Sequence, residues 1–360
     1  MKHQPHLLVD ISSHGYGHVS QTSAVVNELV QLMPELRVTV RTTAPLEFLT
    51  QRFQCEFQHI PLAFDFGMKM ANAIDVQVVE SAAAYREFHA DWRQKVGREA
   101  QVMRQLKPDL LLANVPYLSL AAAHEAGVRA AGMCSLNWAE IYNHYCAGDA
   151  ASKTIHEQML EAYLSAECFL KLQPAMEMPD FSNTRSIPPI ARIGRAQRCH
   201  IASHSNQIEG EKLVLVAMGG MEFRLPVQSW PHFPGVRWVV PQAWGINRDD
   251  TTAFESLHLP FVDVLASCDA VITKPGYGTF TEAACNGVPV LYVARRDWPE
   301  ESFLVQWLKQ NDACVEVERN ALQAGELDGV LQRLWALPQP PRPDATGAAE
   351  AAEFLQTTFF

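Results

Sequence analysis

The chain has 360 residues, 48% of them apolar and 19% charged, with a formal net charge of −11. That length predicts two domains rather than one core, and the acidic balance argues against a nucleic-acid partner, which needs a clustered basic face. The eight cysteines form no CxxC pair and no Cys/His cluster at zinc spacing, no leader-like segment opens the chain, and no apolar run reaches membrane length, so a reduced, cytoplasmic protein is expected.

In chain order, HLLVDI (6–11) reads as a buried strand. VSQTSAVVNELVQLM (19–33) reads as a helix with Val25, Val26, Leu29, Leu32 and Met33 on one face. RVTVRTT (37–43) and, more weakly, FQHI (57–60) follow as strands, and a long polar helix is predicted from about Glu80 to Leu106. Pro108 ends it, then DLLLANV (109–115), a helix (119–126), VRAAGM (128–133) and NWAEIYNHYC (137–146) continue a βαβ alternation, the mark of a parallel sheet covered on both faces. A second alternation runs through KLVLVAMGG (212–220), VRWVV (236–240), DAVIT (269–273), VPVLYV (288–293) and CVEVE (314–318), with a helix at 279–287. The predicted organisation is therefore an N-terminal domain (1–172), a proline-rich connection (173–210) and a C-terminal domain (211–338). A further linker and terminal helix (339–360) are predicted to cross back to the first domain. Two such sheets place a ligand cleft between them, at the carboxyl ends of the strands.

Two loops carry chemistry. The first, ISSHGYGHVSQ (11–21), turns from strand to helix through Gly15 and Gly17. It is a poor dinucleotide fingerprint, because the third glycine would fall at Ser20 and the next strand ends in Arg41-Thr42-Thr43 without an acid for a ribose. His18, at the helix start, can accept a proton from a hydroxyl; equally, His14 and His18 can bond neighbouring carbonyls and shape the turn. Spacing alone leaves both readings open.

The second loop lies in CDAVITKPGYGTFTEAACNGVPVLYVARRDWPEES (268–302). A strand ending at Thr273, a loop from Lys274 through Gly276, Tyr277 and Gly278, and a helix opening at Thr279 suit a pyrophosphate held by backbone amides and the helix dipole. Glu282 either grips two ribose hydroxyls or closes a capping box with Thr279. Arg295, Arg296, Asp297 and Glu300 crowd the end of the next strand as ligand contacts or as a solvated loop.

The block KPGYGTFTEAACNGVPVLYV resembles the donor-site signature of GT-B glycosyltransferases, particularly the branch with the peptidoglycan N-acetylglucosaminyltransferase and glycolipid synthases. HGYGH, NWAEIY, MPDF, KPGYGTFTEA and ARRDWPEESFL are similar, in the same order, to the glycosyltransferase-like N-terminal domain of plant L-arabinokinases, over roughly Leu7 to Glu318. The resemblance implies an α/β GT-B fold, with two Rossmann-like, doubly wound parallel-sheet domains facing each other across a cleft. It implies an inverting, metal-independent transferase that takes a sugar, a hexose or related, from a nucleotide-diphosphate sugar, a UDP-sugar first, without a cofactor. Carried over, Gly276, Tyr277, Gly278 and Thr279 meet the diphosphate with backbone donors from Gly219 and Gly220, Glu282 meets the ribose, Phe261 and Val262 offer backbone groups to the base, Asp297 and Glu300 (or Glu301) approach the sugar, and Gly17, Lys274 and Arg296 join the nucleotide-sugar site. The last segment departs from the usual acidic-then-glutamine pair and leaves the sugar open. His18 falls on the catalytic base, and Asn114 stands where the related domains carry an orienting aspartate, with Asp10 as a substitute partner. His14, Asn137, Trp138 and Glu140 belong to the acceptor side. The segment 63–74 either covers a hydrophobic acceptor, touches a membrane surface, or packs under the long helix. No metal ligands are expected; Asp249-Asp250 reads as solvated surface. Two rivals remain at this level: a GT-B nucleotide-sugar-binding or regulatory protein without turnover, and a nucleotide-sugar epimerase.

Overall fold

The computed structural model describes residues 4–72, 74–205, 210–219 and 224–360. The chain divides into two compact units, each with its own parallel sheet. Unit 1 comprises 1–71, 75–190 and 346–360, and unit 2 comprises 72–74 and 191–345.

In unit 1 the strands are β1 (His6–Ile11), β2 (Arg37–Arg41), β3 (Gln58–Ile60), β4 (Leu110–Asn114), β5 (Ala130–Cys134), β6 (Cys168–Leu172) and β7 (Thr184–Ile187), in the order β3-β2-β1-β4-β5-β6-β7. Every residue of β1, β4 and β5 is buried, because helices cover both faces of a doubly wound sheet and leave no side for polar alternation. In unit 2, β8 (Lys212–Val216), β9 (Val236–Val240), β10 (Thr251–Ala253), β11 (Ala270–Thr273), β12 (Val290–Val293) and β13 (Cys314–Val317) lie in the order β10-β9-β8-β11-β12-β13. Each order reverses beside the unit's first strand, so the loops after β1 and β4, and after β8 and β11, open at a topological switch point.

Two expectations change. The single long helix is two, Val78–His89 and Trp92–Leu106. The break lets the His89 ring stack on Trp92 (4.8 Å between centroids) and face the Tyr117 hydroxyl at 2.8 Å. The segment 173–210 is not only a connection. It contains β7, which completes the first sheet, and a helix, Arg198–His204, of unit 2; the units divide at residue 190. The terminal helix Gly347–Phe359 belongs to unit 1, where Arg129 donates to the carbonyls of Thr358 and Phe359 at its negative end.

The parallel register sets Asp10 beside Arg41. The guanidinium donates to both Asp10 oxygens at 2.6 Å and to Glu99, and lies over the Phe64 ring at 4.2 Å, all buried. Asp10 is therefore not the substitute histidine partner; its carboxylate is taken up by Arg41. Truncating it leaves a buried cation short of its bidentate partner, so Asp10→Ala is expected to destabilise unit 1 by about 3 kcal/mol in urea denaturation. A change below 1 kcal/mol would show that the network is not coupled to the fold.

Candidate functional site

The first loop lies at the switch point of unit 1. Gly15, at φ +149°, takes a backbone conformation closed to other residues and caps the helix Tyr16–Leu32, whose first turn has no side-chain cap. Gly17 is exposed, and a methyl group there would meet nothing within 4 Å. One turn in, His18 is 8% exposed, and its Nδ1 lies 2.9 Å from Asn114 Oδ1 at the end of β4.

The surrounding network sets the proton positions. Asn114 Nδ2 donates to Gln21 Oε1 at 3.0 Å and to the His18 carbonyl at 3.4 Å, and two acceptors on one side fix the amide orientation. Oδ1 must therefore accept from His18, so Nδ1 carries the hydrogen and Nε2 carries the lone pair. Burial lowers the pKa of His18 below its ordinary 6.5, and the Asn114 bond only partly opposes this. At neutral pH the ring is an uncharged base of defined tautomer. Asparagine supplies the orientation of an aspartate without its charge.

The residues assigned to the acceptor side take different places. Trp138 and Asn137 are fully buried. Asn137 caps the helix Trp138–Cys146 by accepting from Glu140 N at 2.9 Å, and Trp138 Nε1 donates to Asp65 at 2.7 Å. Both side chains are thus engaged within unit 1. His14 is half-buried and meets the Trp138 ring edge-on at 4.9 Å; Glu140 is half-buried, its carboxyl pKa raised by burial and by Asp180. Of the segment 63–74, Phe64, Asp65 and Met68 are buried, and Ala73 lies outside the described residues. Asp65 had no counterpart in the sequence reading. A lone acid in the apolar run AFDFG was the available signal, since a buried carboxylate needs partners.

The second loop opens at the switch point of unit 2. The helix Tyr277–Asn286 begins two residues earlier than expected, capped by Gly276 with no side-chain bond. Glu282 thus sits in the second turn, and the capping box with Thr279 does not form. Tyr277 is buried, so only its backbone faces the loop, whereas Gly278 and Thr279 are half-buried. Lys274 runs between two glycine turns. A methyl group added to Gly219, itself at φ +90°, would lie 3.7 Å from Lys274 Nζ, and one on Gly276 3.8 Å. Burial, with the Arg295 charge adding to it, lowers the Lys274 pKa to about 8, partly offset by Glu300. Gly220 lies outside the described residues.

The remaining assignments divide. Glu282 accepts from Arg192 Nε at 2.8 Å through Oε1. Phe261 begins the helix Phe261–Ser267, and Gly194 packs on the Val262 carbonyl so closely that a methyl group would lie 2.2 Å from the oxygen. Arg296 and Arg295 part. Arg296 is exposed and pairs with Glu316 beside β12, while the buried Arg295 stacks over Trp298 at 3.7 Å and donates to the Ile74 carbonyl at 3.0 Å. Glu300 is buried and accepts from Trp298 Nε1 at 3.2 Å, Glu301 accepts from Arg295 N at 2.9 Å, and Asp297 is exposed. Asp250, read as solvated, is buried against Arg248. Among the described residues no group of three or more His, Cys, Asp or Glu is placed to hold a metal ion, and no helix is long and apolar enough to cross a membrane.

The fold is shared with glycosyltransferases of known structure. The glycotransferase of kitacinnamycin superposes with TM-score 0.61 at 16% identity, covering 99% of this chain and 100% of that one. CalG4, the calicheamicin glycosyltransferase, gives 0.60 at 16% identity over 99% and 94%. UGT89C1 of Arabidopsis thaliana complexed with UDP gives 0.59 at 15% identity over 97% and 94%. The chain is a GT-B-fold protein, built of two Rossmann-like parallel-sheet domains. In sequence it is similar to the L-arabinokinase of Arabidopsis thaliana, 25% identical over 371 residues and 97% of this chain. It spans about a third (34%) of that relative's length. No protein-family model matches the chain.

Proposed function

We propose that the chain is an inverting glycosyltransferase that uses a nucleotide-diphosphate sugar, a UDP-sugar first, without a metal ion. The observation that carries this reading is His18, a neutral imidazole whose Nδ1–H is held by Asn114 and whose Nε2 keeps its lone pair. In the proposed step Nε2 takes the proton of an acceptor hydroxyl. That oxygen forms a bond to the anomeric carbon, and the bond from this carbon to the diphosphate oxygen breaks, its electron pair leaving with the nucleoside diphosphate. In unit 2, Lys274 and the uncapped amides from Gly276 to Thr279 suit the charge that grows on the departing diphosphate. The UDP complex of the structural neighbour UGT89C1 supports UDP-sugars as the first donors to test. The decisive assay is nucleoside-diphosphate release from a panel of UDP-, dTDP- and GDP-sugars, compared with His18→Ala.

One observation favours a second reading, a nucleotide-sugar-binding protein without turnover. Asn114 adds no charge to stabilise the imidazolium that forms during transfer. The two readings separate on one substitution. An anion beside Nδ1–H favours the charged ring, so Asn114→Asp is expected to raise the His18 pKa and, by stabilising the imidazolium formed in the step, to raise kcat near neutral pH about tenfold. The acid limb of the kcat/KM profile moves upward with it. A transfer rate that stays at zero in both proteins, with donor binding intact in calorimetry, supports the binding protein instead.

A further inference from the structure

We propose that Asp65 is the positioning residue of the histidine loop, acting through Ser12 and Trp138 to hold His14 and His18 in place for transfer. Its buried carboxylate joins three segments distant in sequence. Oδ1 accepts from Ser12 Oγ at 2.8 Å, Oδ2 accepts from Trp138 Nε1 at 2.7 Å, and the backbone of Ser13 adds a further bond. Ser12 relays this to the turn. Its hydroxyl hydrogen is committed to Asp65, so its lone pair faces His14 N, which donates to it at 3.3 Å. Trp138 relays it to the rings, lying 4.9 Å from His14 and 6.0 Å from His18 between centroids. The same 63–68 segment closes the third side. Gly67, at φ +60°, fits so tightly that a methyl group would lie 2.5 Å from His14 Nδ1 and 2.8 Å from the Trp138 ring. An ionised carboxylate accepts all of these bonds at once; a protonated one spends an oxygen on its own hydrogen and releases a donor.

Asp65 sits where that change falls in an accessible range. Burial raises its pKa to about 6, opposed by the hydrogen bonds from Ser12, Trp138 and Ser13. The titratable groups around it are Asp10 on β1, whose charge is met by Arg41 and, through it, Glu99. Beyond them stand the phenols of Tyr85, Tyr117 and Tyr163, which stay neutral here, and the rings of His14 and His18. The loop is therefore firm above about pH 6 and loosens below it.

The test has a spectroscopic arm and a kinetic arm, and only the kinetic arm rests on the transferase reading. In wild type, the Trp138 indole N–H resonance, assigned with Trp138→Phe, is expected to shift with a midpoint of about 6. Asp65→Asn should remove that step, and His14→Gln should retain it. In transfer assays Asp65→Asn is expected to lower kcat about 100-fold with donor KM unchanged. Ser12→Ala, which deletes the relay and keeps the carboxylate, should lower kcat in the same way and leave the Trp138 step in place; it decides the matter if Asp65→Asn does not fold. A Trp138 titration identical in wild type and Asp65→Asn, or a fully active Ser12→Ala, overturns the proposal. If wild type transfers no sugar, the transferase reading fails, and the Trp138 titration still decides whether Asp65 governs the loop.

Discussion

His18→Ala is expected to lower kcat about 10³-fold while leaving the donor KM unchanged. In the proposed mechanism the effect falls on kcat, because the ring acts as the proton moves and the glycines proposed to hold the diphosphate are untouched. Burial makes His18 a weaker base than free imidazole, so it stays unprotonated down through pH 6.5. The acid limb of kcat/KM should accordingly lie below that value, since only the neutral ring takes a proton. A variant that loses donor binding and turnover together would place His18 in the binding surface rather than in the chemistry.

The second large effect is expected at Lys274. Lys274→Ala should lower kcat about 100-fold and raise the donor KM, because in the proposed transferase the amine beside Gly219 and Gly276 is the charge that meets the diphosphate. Its pKa of about 8 gives the pH sign. The amine is charged at pH 7 and becomes neutral as pH rises through 8, so donor KM should climb on the alkaline side in wild type and stay flat in Lys274→Ala. A flat wild-type profile would mean that phosphate contact comes from the helix amides alone.

The fold was largely legible because buried parallel strands are apolar throughout and stand out as runs such as HLLVDI and DLLLANV. The two loops were legible because glycine is costly elsewhere and concentrates where a strand turns sharply into a helix. The contact of His18 with Asn114 came from resemblance; spacing could not supply it, since the two are joined only by the neighbouring strands β1 and β4. What sequence could not give was the pairing of polar groups across the sheet. Asp10 looked available to a histidine until the register set it against Arg41. Arg295 and Arg296 were indistinguishable as letters, yet one turns inward onto Trp298 and the other outward to Glu316. Asp65 stood out only as a lone acid in the apolar run AFDFG; its two side-chain partners stand 53 and 73 residues away, and no local motif announces them.

The most direct test of the central claim is an NMR-monitored incubation of wild type and His18→Ala with α-linked UDP-hexoses and a panel of hydroxyl acceptors, following the donor's anomeric proton. The account expects wild type to consume one donor, release UDP and build a β-linked product, while His18→Ala leaves the donor intact on the same timescale. Equal consumption by both proteins, or retention of the α configuration in the product, would contradict it.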